Sequence, residues 1–136
     1  MKIKLSEGAF MPSRAHSWDA GLDLYAKEGG YIPGECSATF DTGVHLDIPK
    51  GFYGAVKSRS GLMVNKNIIT DGTIDAGYTG SIRVKLFNLG ITAHKVEPGD
   101  KIAQLVIQPC VCPPLELVDS LDETERGDHG FGSTGR

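Results

Sequence analysis

Residues 126–136 combine residue types that together suit a phosphorylated ligand: four glycines, two hydroxyl side chains, two arginines and the ring of Phe131. Successive glycines let backbone N–H groups converge on an anion, and arginine adds forked, charge-assisted donors. An aromatic ring offers a flat face to a base or a sugar. Phosphate binding together with stacking indicates a nucleotide. A Gly-rich terminus without a ligand is the alternative, because chain ends often lack fixed structure.

The composition predicts a single soluble domain with a small ligand. The 136 residues are 40% hydrophobic and 23% charged, which suits one hydrophobic core and no second domain. The net charge of −3 disfavours nonspecific nucleic-acid binding and predicts that local donors and a divalent cation meet any phosphate. The three cysteines fit a reducing compartment. Because no segment has the length of a signal peptide or a membrane span, we expect a cytoplasmic protein that does not bind membranes.

Short runs of alternating apolar residues, separated by Gly, Pro and Asp, predict an all-β fold. One short helix is expected, around residues 60–65. Many short antiparallel strands in one domain favour a jelly roll or a distorted β-barrel. We expect this β domain to cover residues 1–125 and a flexible Gly-rich arm to cover 126–136. The predicted strands are residues 1–5, 21–26, 31–32, 37–41, 44–47, 51–57, 68–70, 73–74, 81–88, 94–96, 101–109 and 115–117.

Five segments carry motifs in a fixed order: 20–26 (AGLDLYA), 58–62 (SRSGL), 72–80 (GTIDAGYTG), 98–105 (PGDKIAQL) and 126–135 (RGDHGFGSTG). In this order they resemble the five motifs of the trimeric deoxyuridine triphosphatase (dUTPase) family. Each segment alone is a weak signal, but together they span nearly the whole chain. The resemblance implies a β jelly roll, a homotrimer with three sites at subunit contacts, and Mg²⁺-dependent hydrolysis of dUTP to dUMP and pyrophosphate.

Hydrolysis of a phosphoanhydride requires a base that orients a water molecule and takes its proton. By resemblance to the third motif, Asp75 is that base: it positions the water for in-line attack on the α-phosphorus and bonds the deoxyribose 3′-hydroxyl. Tyr78 of the same motif is expected to pack under the deoxyribose and exclude a 2′-hydroxyl. Outside the motif, Asp75 would be interpreted as a turn carboxylate and Tyr78 as a core aromatic.

Residues 69–74 predict the tip of a β-hairpin, because Asp71-Gly72 accepts the positive φ angles of tight turns. Backbone N–H and C=O groups at such an edge match the donor and acceptor pattern of uracil, whereas cytosine would leave polar groups unpaired. The family recognises uracil with this hairpin. The resemblance therefore assigns the base site to the backbones of Ile69, Gly72, Thr73 and Ile74, and an ordinary surface hairpin is the alternative.

The remaining motifs supply groups for the triphosphate and the metal. Arg59, Ser60 and Gly61 stand where a strand gives way to a turn or helix, an arrangement that binds anions. Asp23 resembles the carboxylate that reaches Mg²⁺ through water, while the ion itself is held mainly by the triphosphate. The arm of a neighbouring subunit is expected to stack Phe131 on the uracil. The resemblance adds phosphate donors from Gln104, Arg126, Gly132, Ser133 and Thr134.

At two positions the sequence departs from the dUTPase motifs, and a third position bears on an alternative function. Ser58 stands where the family commonly has proline, and His129 where many members have glycine, but neither change removes a required chemical group. A dCTP deaminase shares the fold and has a catalytic glutamate at the position of Lys85, and a lysine cannot serve as that base. A non-catalytic nucleotide-binding regulator of the same fold is the other alternative, although it would leave the Asp75 motif without a physical purpose.

Overall fold

The structure is a computed structural model that describes residues 1–129. No helix in this range is long and apolar enough to cross a membrane. The elements, in chain order, are β1 (Lys2–Leu5), β2 (Gly21–Tyr25), β3 (Gly30–Ile32), β4 (Ser37–Asp41), β5 (Val44–Asp47), β6 (Phe52–Lys57), α1 (Ser60–Lys66), β7 (Ile68–Ile69), β8 (Asp71–Ile74), β9 (Arg83–Asn88), β10 (His94–Val96) and β11 (Lys101–Pro109).

All strand pairs are antiparallel, and over residues 1–129 they form four sheets. The largest sheet has the order β2-β11-β6-β8, and a three-stranded sheet has the order β4-β9-β7. Two further sheets pair β1 with β5 and β3 with β10. The prediction of an all-β fold with one short helix is confirmed, and in this part of the chain the sheets remain separate rather than closing into one barrel.

Period-2 alternation explains how the strands build the core. In β9, Val84, Leu86 and Asn88 are buried, whereas the residues between them are exposed. The inward side chains of β9 join apolar residues from the large sheet in a single cluster that includes Leu24, Ile102 and Leu105. In β11, Ile102 and Ala103 are both buried, because the pairing with β2 shifts register between Lys101 and Ala103.

Two sequence predictions are wrong. Residues 115–117 form no strand, and the side chains of Leu115 and Leu117 are almost fully exposed because no neighbouring strand covers them in the described range. The hairpin tip at Asp71-Gly72 does not exist either, because β8 pairs with β6 while β7 pairs with β9 in another sheet. Pairing with β6 satisfies the backbone of the Asp-Gly step and overrides its local preference for a turn.

The turn lies later in the same segment. The Tyr78 N–H donates to the Asp75 carbonyl oxygen at 3.2 Å, and Gly77 has a φ of 87°. Glycine adopts this positive φ without the steric penalty that a side chain would bring. The chain therefore reverses at residues 75–78, directly after β8 ends at Ile74.

Candidate active site

A pocket of about 420 Å³ lies where β2, β11 and the start of α1 meet. Its lining includes residues from three of the five sequence motifs: Asp23 from β2, Arg59 and Ser60 from the start of α1, and Gln104 from β11. Pairing of β2 with β11 places Gln104 directly across from Asp23. The fold thus brings together the residues that the sequence assigned to phosphate and metal binding.

Asp23 is the electrostatic centre of this pocket. Its Oδ1 accepts a hydrogen bond from the Arg59 Nε at 2.9 Å, and its Oδ2 lies 2.8 Å from the Lys101 Nζ. The Asp23 side chain is only 14% exposed, so both ion pairs are partly shielded from water. The hydrogen bond to Asp23 and the charge of that carboxylate raise the pKa of Lys101. The two cations balance the carboxylates of Asp23 and Asp19, which also lines the pocket, so an anionic ligand would be bound by directed donors rather than by an excess of positive charge.

The pair with Asp23 also orients Arg59. It uses the Nε of the guanidinium, so within residues 1–129 the two terminal nitrogens are left for another acceptor. A guanidinium presents its donors in a fixed fork that matches phosphate oxygens. Asp23 therefore fixes the side chain that is best suited to bind a phosphate.

The role of Lys101 was not apparent from the sequence. Strict alternation along β11 would place Lys101 and Gln104 on opposite faces, because they are three residues apart. The register shift between Lys101 and Ala103 cancels that difference and lets both reach the Asp23 region. The Gly99-Asp100 turn that precedes the strand was the only available signal, since bulges are frequent near strand ends and sites.

Ser58 is a second residue whose role the sequence did not reveal. Its hydroxyl donates to the Thr70 carbonyl oxygen at 2.9 Å and accepts from the Thr70 N–H at 2.8 Å. Its own carbonyl oxygen accepts a hydrogen bond from the Gln104 Nε2 at 3.0 Å. Ser58 therefore fixes the loop before α1 to the chain that leads into β8, and it also orients Gln104.

Gly21 makes room for Gln104. A Cβ atom at Gly21 would overlap the Gln104 Oε1, at a separation closer than any non-bonded contact permits. Only glycine allows the amide of Gln104 to remain beside β2. The glycine of the first motif is thus needed for close approach rather than for a turn.

A neighbouring pocket of about 430 Å³ shares Arg59 and also includes Lys101. Most of its remaining lining is apolar, with side chains such as Leu62, Val96 and Ile102. It contains neither Asp23 nor Gln104. The donor set for a phosphorylated ligand is therefore in the pocket that holds Asp23.

Asp75 and Tyr78 lie in the turn after β8, and both are exposed. The Tyr78 hydroxyl donates to the Ser81 carbonyl oxygen at 3.0 Å, which fixes the ring. A Cβ at Gly80 would overlap the Tyr78 hydroxyl oxygen, so the ring rests directly on that glycine. This contact gives the Tyr78 ring one defined position, with 47% of the residue exposed.

The pocket and Asp75 lie at opposite ends of the large sheet. Lys57 of β6 pairs with both Gln104 and Asp71, whereas Gly54 pairs with Ile74. Asp71 is therefore level with Gln104 in the sheet, and Asp75 follows Asp71 by four residues. At the rise of a β-strand, this places Asp75 roughly 13 Å further along the strand direction than Gln104. Within one chain the structure does not bring Asp75 and Tyr78 to the pocket that contains Asp23.

Three of the four residues predicted for the base site lie on one strand, and the fourth lies in another sheet. Gly72, Thr73 and Ile74 belong to β8, which among residues 1–129 is one of the two edge strands of the large sheet, so half of their backbone groups point away from β6. Ile69 belongs to β7 in the other sheet and pairs with Phe87. The edge of β8 can offer uracil a backbone pattern of donors and acceptors, while Ile69 stands apart from it.

The chain from residue 110 to residue 129 has no helix or strand and is mostly exposed. Arg126 donates from its Nε to the His129 carbonyl oxygen at 3.1 Å, and it does not line the pocket that holds Asp23. Phe131, Gly132, Ser133 and Thr134 lie outside the described residues. Of the predicted triphosphate donors, Arg59, Ser60 and Gln104 are therefore adjacent, and Gly61 follows Ser60 in the first turn of α1.

Comparison with known proteins identifies the family. The dUTPase family model matches residues 7–135. A probable deoxyuridine 5′-triphosphate nucleotidohydrolase of Schizosaccharomyces pombe is 44% identical over 133 residues, covering 97% of this chain and 95% of the relative. A deoxyuridine 5′-triphosphate nucleotidohydrolase of Clostridium novyi is 43% identical over 135 residues, covering 97% of this chain and 95% of that protein. The chain belongs to the dUTPase family.

Solved structures agree with this assignment. The dUTPase of Staphylococcus bacteriophage 80alpha with dUPNHPP has a TM-score of 0.92 and 32% identity, covering 99% of this chain and 98% of that one. A mutant dUTPase from phage phi11 of S. aureus, described with a structural Mg(II) ion, has a TM-score of 0.82 and 30% identity, covering 90% and 98% of the two chains. The resemblance inferred from the five motifs is confirmed.

Proposed function

We propose that this protein hydrolyses dUTP to dUMP and pyrophosphate. Such a reaction limits uracil incorporation into DNA and supplies dUMP for dTMP synthesis. The observation that carries the proposal is the cluster of Asp23, Arg59, Ser60 and Gln104 around one pocket in a chain of the dUTPase family. Three free cysteines are compatible with the cytoplasmic location that we propose for it.

The chemistry divides between two groups of residues. Asp75 orients a water molecule toward the α-phosphorus and takes its proton, and the bridging oxygen between the α- and β-phosphorus leaves with pyrophosphate. Arg59, with its donors fixed by Asp23, stabilises charge on the phosphate oxygens. Ser60, the Gly61 N–H and Gln104 add further donors at the pocket. Arg126 and the arm residues Gly132, Ser133 and Thr134 complete the set.

Mg²⁺ fits the donor chemistry of the pocket. A carboxylate oxygen is the ligand type that this hard cation prefers, and Mg²⁺ usually keeps several waters when phosphates hold it. Asp23 has further lone pairs beyond its two ion pairs, so it can accept hydrogen bonds from metal-bound water. When bound, the ion would neutralise charge on the triphosphate.

Selectivity for the base and the sugar comes from the region around β8. The free edge of Gly72, Thr73 and Ile74 presents backbone groups to uracil, and a cytosine there would leave buried polar groups unpaired. The Tyr78 ring, fixed against Gly80, supports the deoxyribose and leaves no space for a 2′-hydroxyl. Phe131 stacks on the uracil from the arm.

A complete site requires more than one copy of the chain. The level of Asp75 is offset by about 13 Å along the strands from that of Gln104 in the phosphate pocket, and a water that attacks the α-phosphorus must lie within hydrogen-bond distance of its base. We propose a homotrimer in which Asp75 of one copy meets the Asp23 pocket of another. Leu115 and Leu117 are almost fully exposed in the single chain, so their burial between copies would be favourable.

The proposed domain organisation follows from this assembly. Residues 1–125 form the β domain, and residues 126–136 form an arm that closes over the site of a neighbouring copy. Ordering a Gly-rich arm is entropically unfavourable, and contacts with the triphosphate and uracil offset that cost.

Pyrophosphate release with Mg²⁺ tests the substrate directly. The protein should turn over dUTP far faster than dCTP, dTTP or UTP. Lys85 is exposed on β9 with its ammonium 5.3 Å from the centroid of the Phe87 ring, and no carboxylate stands at its position. Ammonia release from dCTP would show a deaminase instead, and binding of dUTP without turnover would show a regulator.

Asp75→Asn tests the proposed base. The variant should bind dUTP within about tenfold of the wild-type affinity while turnover falls by roughly 10² or more, because a general base acts in the transition state. Asp47→Asn, at an exposed aspartate of β5, is the matched control and should retain turnover. A near-parental rate for Asp75→Asn would make Asp75 a structural turn residue.

A further inference from the structure

The turn at residues 75–81 joins two separate parts of the fold. It follows β8, which belongs to the large sheet. At its other end the Ile82 N–H donates to the Val44 carbonyl oxygen at 2.9 Å, which ties the chain to β5. No residue of the turn is buried, so contacts made along it decide where Asp75 and Tyr78 lie.

His45 of β5 makes such a contact. Its neighbours Val44 and Leu46 belong to the core, so strand alternation turns the His45 side chain to the other face. There its Nδ1 lies 2.8 Å from the Thr79 carbonyl oxygen. A carbonyl oxygen only accepts hydrogen bonds, so Nδ1 carries a proton and donates it. This bond holds the backbone directly after Tyr78.

Ser6 fixes the other side of the imidazole ring. Its hydroxyl lies 3.0 Å from the Nε2 of His45, and in a neutral ring that nitrogen accepts the hydroxyl proton. Ser6 is itself held, because its N–H donates to the Gly43 carbonyl oxygen at 2.8 Å. Since each ring nitrogen has a partner, His45 has a fixed orientation and acts on Thr79 rather than on a substrate.

We propose that His45 is a positioning residue that determines how strictly the site rejects a ribonucleotide. The selectivity role rests on the proposed function, in which the Tyr78 ring leaves no space for a 2′-hydroxyl. The bond to Thr79 holds the backbone beside Tyr78, and the Tyr78 hydroxyl donates to the Ser81 carbonyl oxygen. The ring is therefore held at both ends, and release of its backbone end would open space beneath the sugar.

Asp75 depends on the same contact. The Tyr78 N–H donates to the Asp75 carbonyl oxygen, so a displacement of the backbone at Thr79 passes to the base. Small displacements of positioned groups have large kinetic effects. Loss of the His45 bond should therefore lower dUTP turnover and relax the sugar selectivity together. A contact that served stability alone would leave the selectivity of the folded enzyme unchanged.

Two variants of similar shape separate the hydrogen-bond donor from packing. His45→Asn keeps an N–H donor at the δ position, whereas His45→Leu fills similar space without one. Both variants lose the contact with Ser6, so their comparison isolates the bond to Thr79. His94→Leu is the matched control and should behave as the wild type does, because His94 is a half-buried histidine of β10 in a different sheet.

The first measurement requires no substrate. Hydrogen exchange of the full-length protein, read by mass spectrometry on peptides that span residues 75–81, reports how firmly the turn is held. Exchange there should be roughly tenfold faster in His45→Leu than in the wild type, whereas His45→Asn should stay within about threefold. Equal exchange in all three proteins would overturn the positioning role.

The second measurement compares kcat/KM for dUTP with kcat/KM for UTP. In His45→Leu this ratio should fall roughly tenfold and dUTP turnover should fall as well, while His45→Asn should restore most of both. Faster exchange in His45→Leu with the wild-type ratio would make the contact structural only, which contradicts the proposal. Equal losses in the two variants would assign the effect to packing or to Ser6 and would also overturn it.

The wild-type protein is measured first. Absent dUTP hydrolysis would refute the proposed function, and the exchange measurement would still decide whether His45 holds the turn. If His45→Leu does not fold, Ser6→Ala takes its place, because it keeps the Nδ1 donor but releases the ring. The ratio should then fall roughly threefold, as expected for one hydrogen bond, and an unchanged ratio would overturn the proposal.

Discussion

Replacing Ser58 with alanine removes both hydrogen bonds that join the loop before α1 to Thr70. Thr70 is only 6% exposed, so its N–H and C=O would lose partners in a nearly dry environment. A buried polar group without a partner costs about 1–3 kcal/mol, and Ser58 is half-buried, so the low end applies to each group and the total is about 2 kcal/mol. For a chain of this size, that loss lowers Tm by roughly 8 °C.

Urea unfolding at fixed protein concentration measures this effect, because the stability of an oligomer depends on concentration. The Ser58→Ala midpoint should fall with an unchanged slope, and Ser37→Ala, at an exposed serine of β4, is the matched control. The affinity for dUTP should fall as well, because the loop that the Ser58 hydroxyl fixes also carries the backbone carbonyl oxygen that orients Gln104. Stability of Ser58→Ala within about 0.5 kcal/mol of wild type would refute the assignment of these two bonds as structural.

Two further perturbations test the pocket and the pH response. Gly21→Ala should push the Gln104 amide aside and weaken dUTP binding roughly tenfold. Gly90→Ala is the control, because its Cβ would meet its nearest atom at 3.4 Å, and it should bind dUTP as the wild type does. Equal affinities of the two variants in isothermal titration would contradict the role of Gly21. Burial raises the pKa of Asp41, but hydrogen bonds from Ser81 and the Gly43 N–H, with two nearby cations, outweigh it and leave the pKa lowered. Asp41→Asn should therefore be less stable than wild type at neutral pH, and the urea midpoints should converge as the pH falls through that lowered pKa, since protonation removes the same contribution. A difference that persisted at acid pH would contradict this cause.

The sequence predicted the strands best where alternation and flanking turns agreed. Val44–Asp47 and Lys101–Pro109 begin and end where they were expected, and the short helix also forms. The predictions for residues 71–72 and 115–117 were wrong, because the structure of each segment depends on whether a neighbouring strand pairs with it. The Asp-Gly step joins a strand because β6 pairs with it, and residues 115–117 lack any neighbouring strand among residues 1–129.

The residues of the candidate site divide in the same way, into those that the sequence predicts locally and those whose role depends on neighbouring strands. The motifs identified Asp23, Arg59 and Gln104, and the sheet register brings them to one pocket. Lys101 escaped notice because a register shift in β11 changes which side chains share a face. Ser58 escaped because its role depends on a contact with Thr70, twelve residues away. Bulges and long-range contacts leave no periodic signal in a single sequence.

We propose that one active site takes Asp75 from one copy of the chain and the Arg59 pocket from another. This is tested by dUTP turnover after Asp75→Asn and Arg59→Ala chains are unfolded and refolded together, with differential tags that report mixed assemblies. Each variant alone should be nearly inactive. In an equal mixture, half of the chains carry an intact Asp75 and half an intact Arg59, so about one quarter of the sites should have both, and turnover should recover to about one quarter of wild type. Mixed assemblies without recovered turnover would show that Asp75 and Arg59 of the same chain serve one site, which contradicts an active site shared between copies.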